Sequence, residues 1–558
     1  MSSLPEPRPP GLDGGPGGQD SRRFVVVLAL SMGLMVVMQS FAPPPKKKAP
    51  PADKPAVTAP VAPAAAAAPG EAAPATPEDA PAPEHVLELG GKVVRLGVST
   101  HGGRVVRAEL DGFKESRGAD AVPAKARRHV DVAGDRGALA LAFDGLAAGA
   151  SYRAVEADGR HAVLERDGGG WHVTRKFAVM EDEHGLRTDT VVRNTGAAAR
   201  SFTPALEFTA RIHPSEHSGG GFLSAGVPTD QTGFLCQTAE TLHREIAVSL
   251  KEPKAMAGSV KWAGIDRQYF IAAAAFRDNP PSDCRAEVKG DQAQLRISWP
   301  AVELGPGAEW KAGADAYFGP KHESLLTKVN PVLGDAIDYG WFGALVRLLL
   351  KLLLWFYELI PNYGIAIMLL TLSVKLATLP LTQRTFVSQQ RMKSLAPKIK
   401  ELQAKYAHDR AMQGQKMMDL YKQENASPFD GCFPMLVQMP IWIALYRTLY
   451  TAVELYQQPF ISGWMDDLTQ KDPFYITPVA LGAVMLVQAW LTPVPPDQPQ
   501  MKYMQYGMPV FFTTIMLALP AGLTVYMLTN TVLTILQQLY IKRRFGTPDT
   551  PAPATGSA

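Results

Sequence analysis

The sequence is poor in the residues that build metal centres and nucleophilic active sites. It has three cysteines in 558 residues, Cys236, Cys284 and Cys432, and their spacing fits neither a zinc site nor a disulfide framework. We expect Cys236 and Cys284 to be two buried thiols, with pairing as the alternative if their domain is exported. The 11 histidines are scattered without the spacing of metal ligands. The motifs G-x-x-x-x-G-K-[ST], H-E-x-x-H and G-x-S-x-G are all missing from the sequence.

Charge and hydropathy are unremarkable on average but strongly segregated along the chain. A net charge of +3 is too small to indicate a nucleic-acid partner. The mean hydropathy of -0.04 is that of an ordinary soluble protein. Nevertheless, apolar runs of membrane length lie at 24–42 and repeatedly beyond 341, while 85–320 is mixed and polar. The pattern predicts a multi-domain membrane protein with one large water-exposed domain.

The composition of residues 1–84 predicts that an N-terminal transmembrane segment anchors the chain in the membrane. Residues 1–23 are rich in proline and glycine and are predicted to be a disordered cytoplasmic segment. The apolar run 24–42 follows two arginines and is longer than the apolar part of a signal peptide. We therefore favour an uncleaved transmembrane anchor over a cleaved signal. Residues 43–84 are mostly proline and alanine, which is typical of a semi-extended linker.

An all-β domain is predicted for 85–335. Alternating apolar and polar residues predict strands at 92–98, 104–110, 171–177 and 186–193. The first two flank a Gly102–Gly103 turn. Many short strands with turn signals favour a sandwich, which we interpret as a periplasmic binding or spacer module.

Residues 336–362 are predicted to form an amphipathic helix that lies in the membrane–water interface, on the side of the membrane away from the cytoplasm. Arg347, Lys351 and Glu358 are spaced so that they share one helix face, and Trp355 would lie at the level of the lipid headgroups. Counting this segment as a span would place the basic region that follows it outside, against the positive-inside rule.

The region 363–545 is predicted to be an α-helical transmembrane bundle with five core spans. These spans are 363–381, 432–456, 474–491, 507–519 and 523–541. Segment 384–427 has nine basic and four acidic residues, so it is predicted to be a cytoplasmic helical hairpin. The hairpin is either a solvated connector or a docking surface. Residues 546–558 are predicted to be a disordered tail.

One charge lies deep in the first core span. Lys375 is roughly 18 Å from Tyr363 along a helix. A charge at this depth costs about 2.5–3.5 kcal/mol on insertion scales, so it indicates a function unless the side chain snorkels to the interface. Thr371, Lys375, Thr378 and Thr382 are spaced four, three and four residues apart. One face of this span is therefore polar.

A second polar face is predicted on the last span. It carries Thr524, Thr531, Thr534 and Gln538. Gln438 is a single amide in another, otherwise apolar helix. Isolated residues of this kind usually join helices by hydrogen bonds, but two polar faces and a lysine predict a hydrated cavity. Methionines and aromatics, Met527 among them, would give that cavity an adaptable apolar wall for a client helix.

Several motifs resemble the signature of the YidC/Oxa/Alb membrane insertases. They are Gly431-Cys-Phe-Pro-Met-Leu-Val-Gln-Met-Pro-Ile-Trp-Ile-Ala-Leu-Tyr446, Leu379-Pro-Leu-Thr382, Leu395-Ala-Pro-Lys-Ile399, Pro520-Ala-Gly522 and Gln537-Gln538. Tyr317–Lys321 and Asp338–Phe342 resemble the end of the periplasmic domain and the interfacial helix of the Gram-negative form. The similarity covers roughly 85–545.

The resemblance implies a non-enzymatic insertase and chaperone of the inner membrane, without a cofactor. Client segments would enter a hydrated, positively charged groove that is open to the cytoplasm and to lipid. The implied partners are nascent membrane proteins, the Sec translocon with its accessory subunits, the lipid bilayer, and the ribosome through a weak contact of the hairpin and the short tail. Both termini would be cytoplasmic and the large domain periplasmic.

The resemblance implies that clients contact Thr371, Lys375 and Tyr526. The polar faces and the apolar wall described above add the other residues of the predicted site. The predicted substrate-binding residues are Thr371, Lys375, Thr378, Gln438, Thr524, Tyr526, Met527 and Thr531. The groove charge of the family is usually arginine, and Lys375 occupies the matching position. Lysine is a more compact and more strongly hydrated charge than arginine. A tyrosine that is common in the family after Tyr526 is replaced here by Met527.

Two other classes of function compete with the insertase. A transporter or channel with a periplasmic binding domain would favour an internal repeat, and we find none in the sequence. An intramembrane enzyme would need a nucleophile and a base, but the predicted core spans contain no histidine and no aspartate. The insertase is the favoured hypothesis.

Overall fold

The fold is described by a computed structural model for residues 83–90, 93–114, 129–134, 137–144, 146, 149–181, 184–212, 231–423, 433–491 and 499–545. The predicted segments 1–23 and 24–42, the linker up to residue 82, the tail 546–558 and Cys432 lie outside these ranges. The described residues form a β-rich part followed by a helical part.

The β-rich part has 20 strands in the described residues. In chain order they are β1 Val86–Gly90, β2 Val94–Ser99, β3 Arg104–Lys114, β4 His129–Asp131, β5 Ala140–Ala142, β6 Arg153–Ala157, β7 His161–Gly168, β8 Trp171–Val179, β9 Gly185–Asn194, β10 Arg200–Phe202, β11 Ala205–Arg211, β12 Gly233–Thr238, β13 Leu242–Ile246, β14 Lys254–Ala257, β15 Val260–Asp266, β16 Phe270–Asp278, β17 Asp283–Lys289, β18 Gln292–Ser298, β19 Val302–Leu304 and β20 Glu309–Pro320. The prediction of a β-rich domain is confirmed.

The strands form two large sheets and two small ones. The nine-stranded sheet has the order β13-β12-β15-β16-β20-β9-β8-β7-β6, and the five-stranded sheet has the order β14-β17-β18-β11-β5. Strands β1 to β4 form a third sheet in sequence order, and β10 pairs with β19. The predicted hairpin is confirmed, because Ser99 pairs with Arg104 around Gly102 and Gly103, which have positive φ angles of 75° and 53° that favour glycine.

Strand β16 lies between two hydrophobic cores. Ala272 and Ala274 belong to the core between the two large sheets. Ile271 and Ala273 belong to a second core that continues into the helical part. Since side chains alternate between the faces of a strand, the nine-stranded sheet is covered on both faces at β16. This position explains why nearly the whole strand is apolar.

The expectation of two buried thiols is wrong, because Cys236 and Cys284 form a disulfide. Their Cα atoms are 6.5 Å apart, and the bond links β12 of the nine-stranded sheet to β17 of the five-stranded sheet. The two residues are 48 positions apart in sequence. Only the packing of one sheet on the other brings them together.

The helical part has eight α-helices in the described residues. They are α1 Glu323–Val329, α2 Gly343–Leu359, α3 Tyr363–Lys405, α4 Arg410–Gln423, α5 Phe433–Thr451, α6 Ile476–Leu491, α7 Pro499–Met516 and α8 Ala521–Phe545. By length and hydropathy, one described segment, Tyr363–Pro380, is long and apolar enough to cross a membrane. The helix α6 is apolar but shorter, so the count of five core spans stays a prediction.

Helix α3 is continuous where the sequence suggested a span followed by a separate hairpin arm. Its 43 residues correspond to about 65 Å, roughly twice the hydrocarbon thickness of a bilayer. Pro380 and Pro397 lie inside the helix without ending it. The first part of the basic segment, up to Lys405, is therefore a direct extension of the helix that carries Lys375.

The start of α3 is held by contacts from two neighbouring segments. The Asn362 side chain accepts a hydrogen bond from the Ile365 amide at 3.1 Å, as an N-cap does, and donates one to the Phe460 carbonyl at 2.9 Å. The Tyr363 ring stacks on Tyr357 at the end of α2, with 3.9 Å between ring centroids. These contacts fix the position from which α3 begins.

The β-rich part contacts the connection between α5 and α6 through Tyr456. The Tyr456 ring lies 5.1 Å from Phe270 and 5.4 Å from Tyr269, measured between centroids. Its hydroxyl donates to the Lys114 carbonyl at 2.8 Å. The next residue, Gln457, also bonds the backbone of Lys114. The strands and the helices thus share an aromatic and hydrogen-bonded junction.

Candidate functional site

Helices α3 and α8 begin side by side and run in the same direction. A Cβ atom added to Gly522 would lie 3.5 Å from Ile367 Cδ1 and 3.2 Å from the Leu468 carbonyl oxygen. The distance to Ile367 is an ordinary van der Waals contact, so the starts of the two helices are in direct contact at this point. Further along, Lys375 of α3 meets Thr534 of α8. The two polar faces predicted from the sequence therefore lie together over several turns.

The Lys375 ammonium is bound by one threonine across this helix pair. Lys375 Nζ donates to Thr534 Oγ1 at 2.8 Å, and the Thr534 hydroxyl donates in turn to the Asn530 carbonyl at 2.7 Å. The lysine is half-buried. An ammonium group has three N–H donors. Within the described residues, only one of the three is used in a hydrogen bond to the protein.

Four other threonines of the two faces donate their hydroxyl protons to backbone carbonyls close by in sequence. Each hydroxyl donates to the carbonyl four residues earlier: Thr371 to Ile367 at 2.7 Å, Thr378 to Val374 at 2.9 Å, Thr524 to Pro520 at 3.3 Å and Thr531 to Met527 at 2.7 Å. A hydroxyl that donates in this way still has a lone pair that can accept. The face therefore offers acceptors to water or to N–H groups.

The predicted site residues differ in their burial. Thr371, Thr524, Tyr526 and Thr531 are buried, with Tyr526 only 1% exposed. Thr378, Gln438 and Met527 are partly exposed, as Lys375 is. Among the described residues, no hydrogen bond joins Gln438 to Lys375. The sequence predicts Thr534 on the polar face but does not mark it as a binding residue. Thr534 is three residues after Thr531, and this spacing places the two side chains on the same helix face.

The start of α6 is fixed by Asp472, which is 2% exposed. Its carboxylate accepts hydrogen bonds from the Thr477 amide and the Thr477 hydroxyl, both at 2.7 Å. Trp464 Nε1 and the Phe474 amide donate to it at 2.8 and 3.0 Å. One carboxylate thus ties the preceding loop to a helix that packs against α8.

Two family models match almost all of the described chain. The model described as YidC periplasmic domain matches residues 87–352, and the model described as 60Kd inner membrane protein matches residues 355–548. The boundary between the two matches falls inside α2, which lies between the β-rich part and α3.

Named relatives are similar over most of their length. A membrane protein insertase YidC from Anaeromyxobacter sp. (strain Fw109-5) is 36% identical over 498 residues, which cover 87% of this chain and 88% of that protein. The protein of the same name from Geotalea daltonii is 31% identical and covers 80% of this chain. A crystal structure of an active YidC insertase covers 82% of this chain at 16% identity, with a TM-score of 0.35. The chain belongs to the YidC family of inner-membrane proteins with a periplasmic domain.

Proposed function

We propose that this chain, as a membrane protein insertase, receives hydrophobic client segments in the groove between α3 and α8 and releases them into the inner membrane. The observation that carries the proposal is the half-buried Lys375 ammonium, which donates to Thr534 Oγ1 at 2.8 Å on a face lined by threonine oxygens. Such a groove lowers the desolvation cost for a polar segment of the client while its apolar part remains next to lipid.

Within the described residues, the Lys375 ammonium forms no ion pair with a carboxylate, and its only hydrogen bond is the one to Thr534. The sequence contains no aspartate or glutamate in 363–400, 433–453 or 498–545. An ammonium at membrane depth needs water or an acidic group to compensate its charge. We therefore infer that water solvates Lys375 in the resting protein, and that an acidic residue in the translocated part of a client replaces some of this water.

The arrangement in the membrane is also part of the proposal. The excess of basic residues in the hairpin supports a cytoplasmic position for it, with both termini on the same side. Trp341, Leu348 and Trp355 of the α2 region are 51–61% exposed, which supports an interfacial position for α2.

The Sec translocon and the ribosome are proposed partners, and the basic hairpin is the proposed contact with the ribosome. The groove binds and releases clients without a covalent step. The alternative of a transporter is not favoured, because the similar proteins are named insertases.

Thr534→Val tests the groove, because valine keeps the shape of threonine but removes the acceptor for Lys375 Nζ. We expect a loss of about 1 kcal/mol, the typical net value of one hydrogen bond, or roughly fivefold in insertion. The measurement is protease protection of a client inserted into liposomes that contain the purified full-length protein.

Thr529→Val is the matched control. Its hydroxyl donates to the Val525 carbonyl of its own helix at 2.8 Å, and it makes no hydrogen bond to Lys375. Its insertion activity should match that of the unmodified protein. Equal losses in the two variants would show that the effect is a general one on α8 and would refute the groove contact.

A further inference from the structure

The disulfide closes one open side of the β-sandwich. Cys236 lies on β12, which is next to the edge strand β13, and Cys284 lies on β17, which is next to the edge strand β14. The bond therefore joins the two sheets near the point where both of them end. Among the described strands, none continues either sheet beyond β13 or β14, so the disulfide crosslinks the two sheets close to their edges.

The same edge contacts the chain between α1 and α2. Strand β13 carries Arg244, whose guanidinium donates to the Ala336 carbonyl at 2.9 Å and pairs with Asp266 at 3.1 Å. Ala336 lies shortly before α2. The disulfide thus secures a strand pair that holds the connection from the β-rich part to the membrane part.

Both cysteines are 0% exposed, so no oxidant can reach them in the folded domain. We propose that this insertase is itself matured by thiol oxidation: a dithiol oxidase of the cell envelope forms the Cys236–Cys284 bond after export of the domain and before its two sheets close. The cytosol keeps thiols reduced, which restricts the step to the periplasmic side.

The step is a balanced thiol–disulfide exchange. The thiolate of one cysteine attacks the disulfide of the oxidase, forms a mixed disulfide and releases one thiol of the oxidase. The thiolate of the second cysteine then attacks the mixed disulfide, which closes the Cys236–Cys284 bond and releases the second thiol. Two electrons and two protons pass from the cysteine pair to the oxidase, which leaves as a dithiol.

Burial also makes the finished bond a permanent crosslink and not a redox switch. A reductant would have to reach a sulfur atom that has no exposed surface. Reduction therefore requires the domain to unfold first. The inference does not depend on the groove, so its failure would leave the proposed insertase mechanism untouched.

The test counts free thiols in the full-length protein with a mass-adding maleimide after acid quenching of cells and denaturation. The Cys432→Ser variant removes the remaining cysteine, so any label reports Cys236 and Cys284. We expect no label without reductant and two labels after reduction in denaturant. Two labels without reductant would overturn the proposal.

Two further experiments test whether an oxidase forms the bond and whether the folded domain protects the bond from reductant. In a Gram-negative host that lacks its periplasmic dithiol oxidase, newly made Cys432→Ser protein should carry two labels for much longer than in the parent host, and equal kinetics would refute enzymatic oxidation. In membranes of the parent host, reductant without denaturant should leave the bond intact. Rapid labelling there would refute the closed crosslink.

Discussion

Lys375→Glu should reduce insertion of clients with acidic translocated segments by at least about tenfold. The substitution places a carboxylate where such clients present their own, and like charges brought together in a site cost several kcal/mol. Each 1.4 kcal/mol corresponds to about a factor of ten. The substitution also removes the hydrogen bond that Lys375 Nζ donates to Thr534 Oγ1. Growth of a depletion strain and protease protection of such a client are the two measurements.

Two comparisons separate charge from polarity. Lys375→Arg keeps the positive charge and should retain activity, while Lys375→Gln keeps a donor without the charge. If the charge is required, Lys375→Gln should affect clients with acidic segments more than clients with neutral ones. Normal growth and insertion in Lys375→Glu would refute the requirement for a positive charge, and the polarity of the threonine face would then be sufficient.

Asp472→Ala should lower the free energy of unfolding by about 3 kcal/mol. The alanine would leave two backbone amides, one hydroxyl and the Trp464 indole without their acceptor, and each unsatisfied buried donor costs about 1–3 kcal/mol before the loop relaxes. The start of α6 should fray. The measurement is thermal unfolding of the full-length protein in detergent, which should shift to a lower temperature.

Asp466→Ala is the control for Asp472→Ala. Asp466 lies in the same loop and is exposed, and its carboxylate accepts one bond from the Gly463 amide at 2.8 Å. Its substitution should change stability by no more than about 1 kcal/mol. If both variants lose the same stability, the buried hydrogen bonds of Asp472 do not fix α6.

The Asp472 contribution should also depend on pH. Burial raises the pKa of this carboxyl, but the hydrogen bonds from Thr477, Trp464 and Phe474 outweigh it, so the pKa is lower than usual. A lowered pKa in the folded state stabilises the protein at pH values above the ordinary aspartate pKa of about 4. This stability is lost as the pH falls through the folded-state pKa. Asp472→Asn should remove the corresponding part of the acid sensitivity.

Local patterns in the sequence were sufficient for the strands and for the polar helix faces. The hairpin between β2 and β3 follows from alternation on both sides of two glycines that must adopt positive φ. The face of α3 follows from the spacing of Thr371, Lys375 and Thr378, because helical periodicity places residues three and four apart on one side. Such features depend on neighbours in sequence.

Contacts between distant segments could not be predicted in this way. Nothing in the spacing of Thr524, Thr531 and Thr534 decides which of them meets Lys375, because the answer depends on how far α8 is displaced along α3. The same holds for Cys236 and Cys284, because their pairing requires the two sheets to pack on each other in one particular arrangement. Nor does a proline pattern tell whether a helix ends, and α3 continues through Pro380 and Pro397.

The sequence by itself determined a membrane protein of the YidC/Oxa/Alb type with a β-rich domain and one deep lysine, since hydropathy, periodicity and short motifs are local properties. Only the tertiary structure decided that Thr534 binds this lysine, that Asp472 fixes α6, and that a disulfide joins the sheets. The physical reason is that each of these contacts joins side chains from segments whose relative position is set by packing and not by covalent proximity.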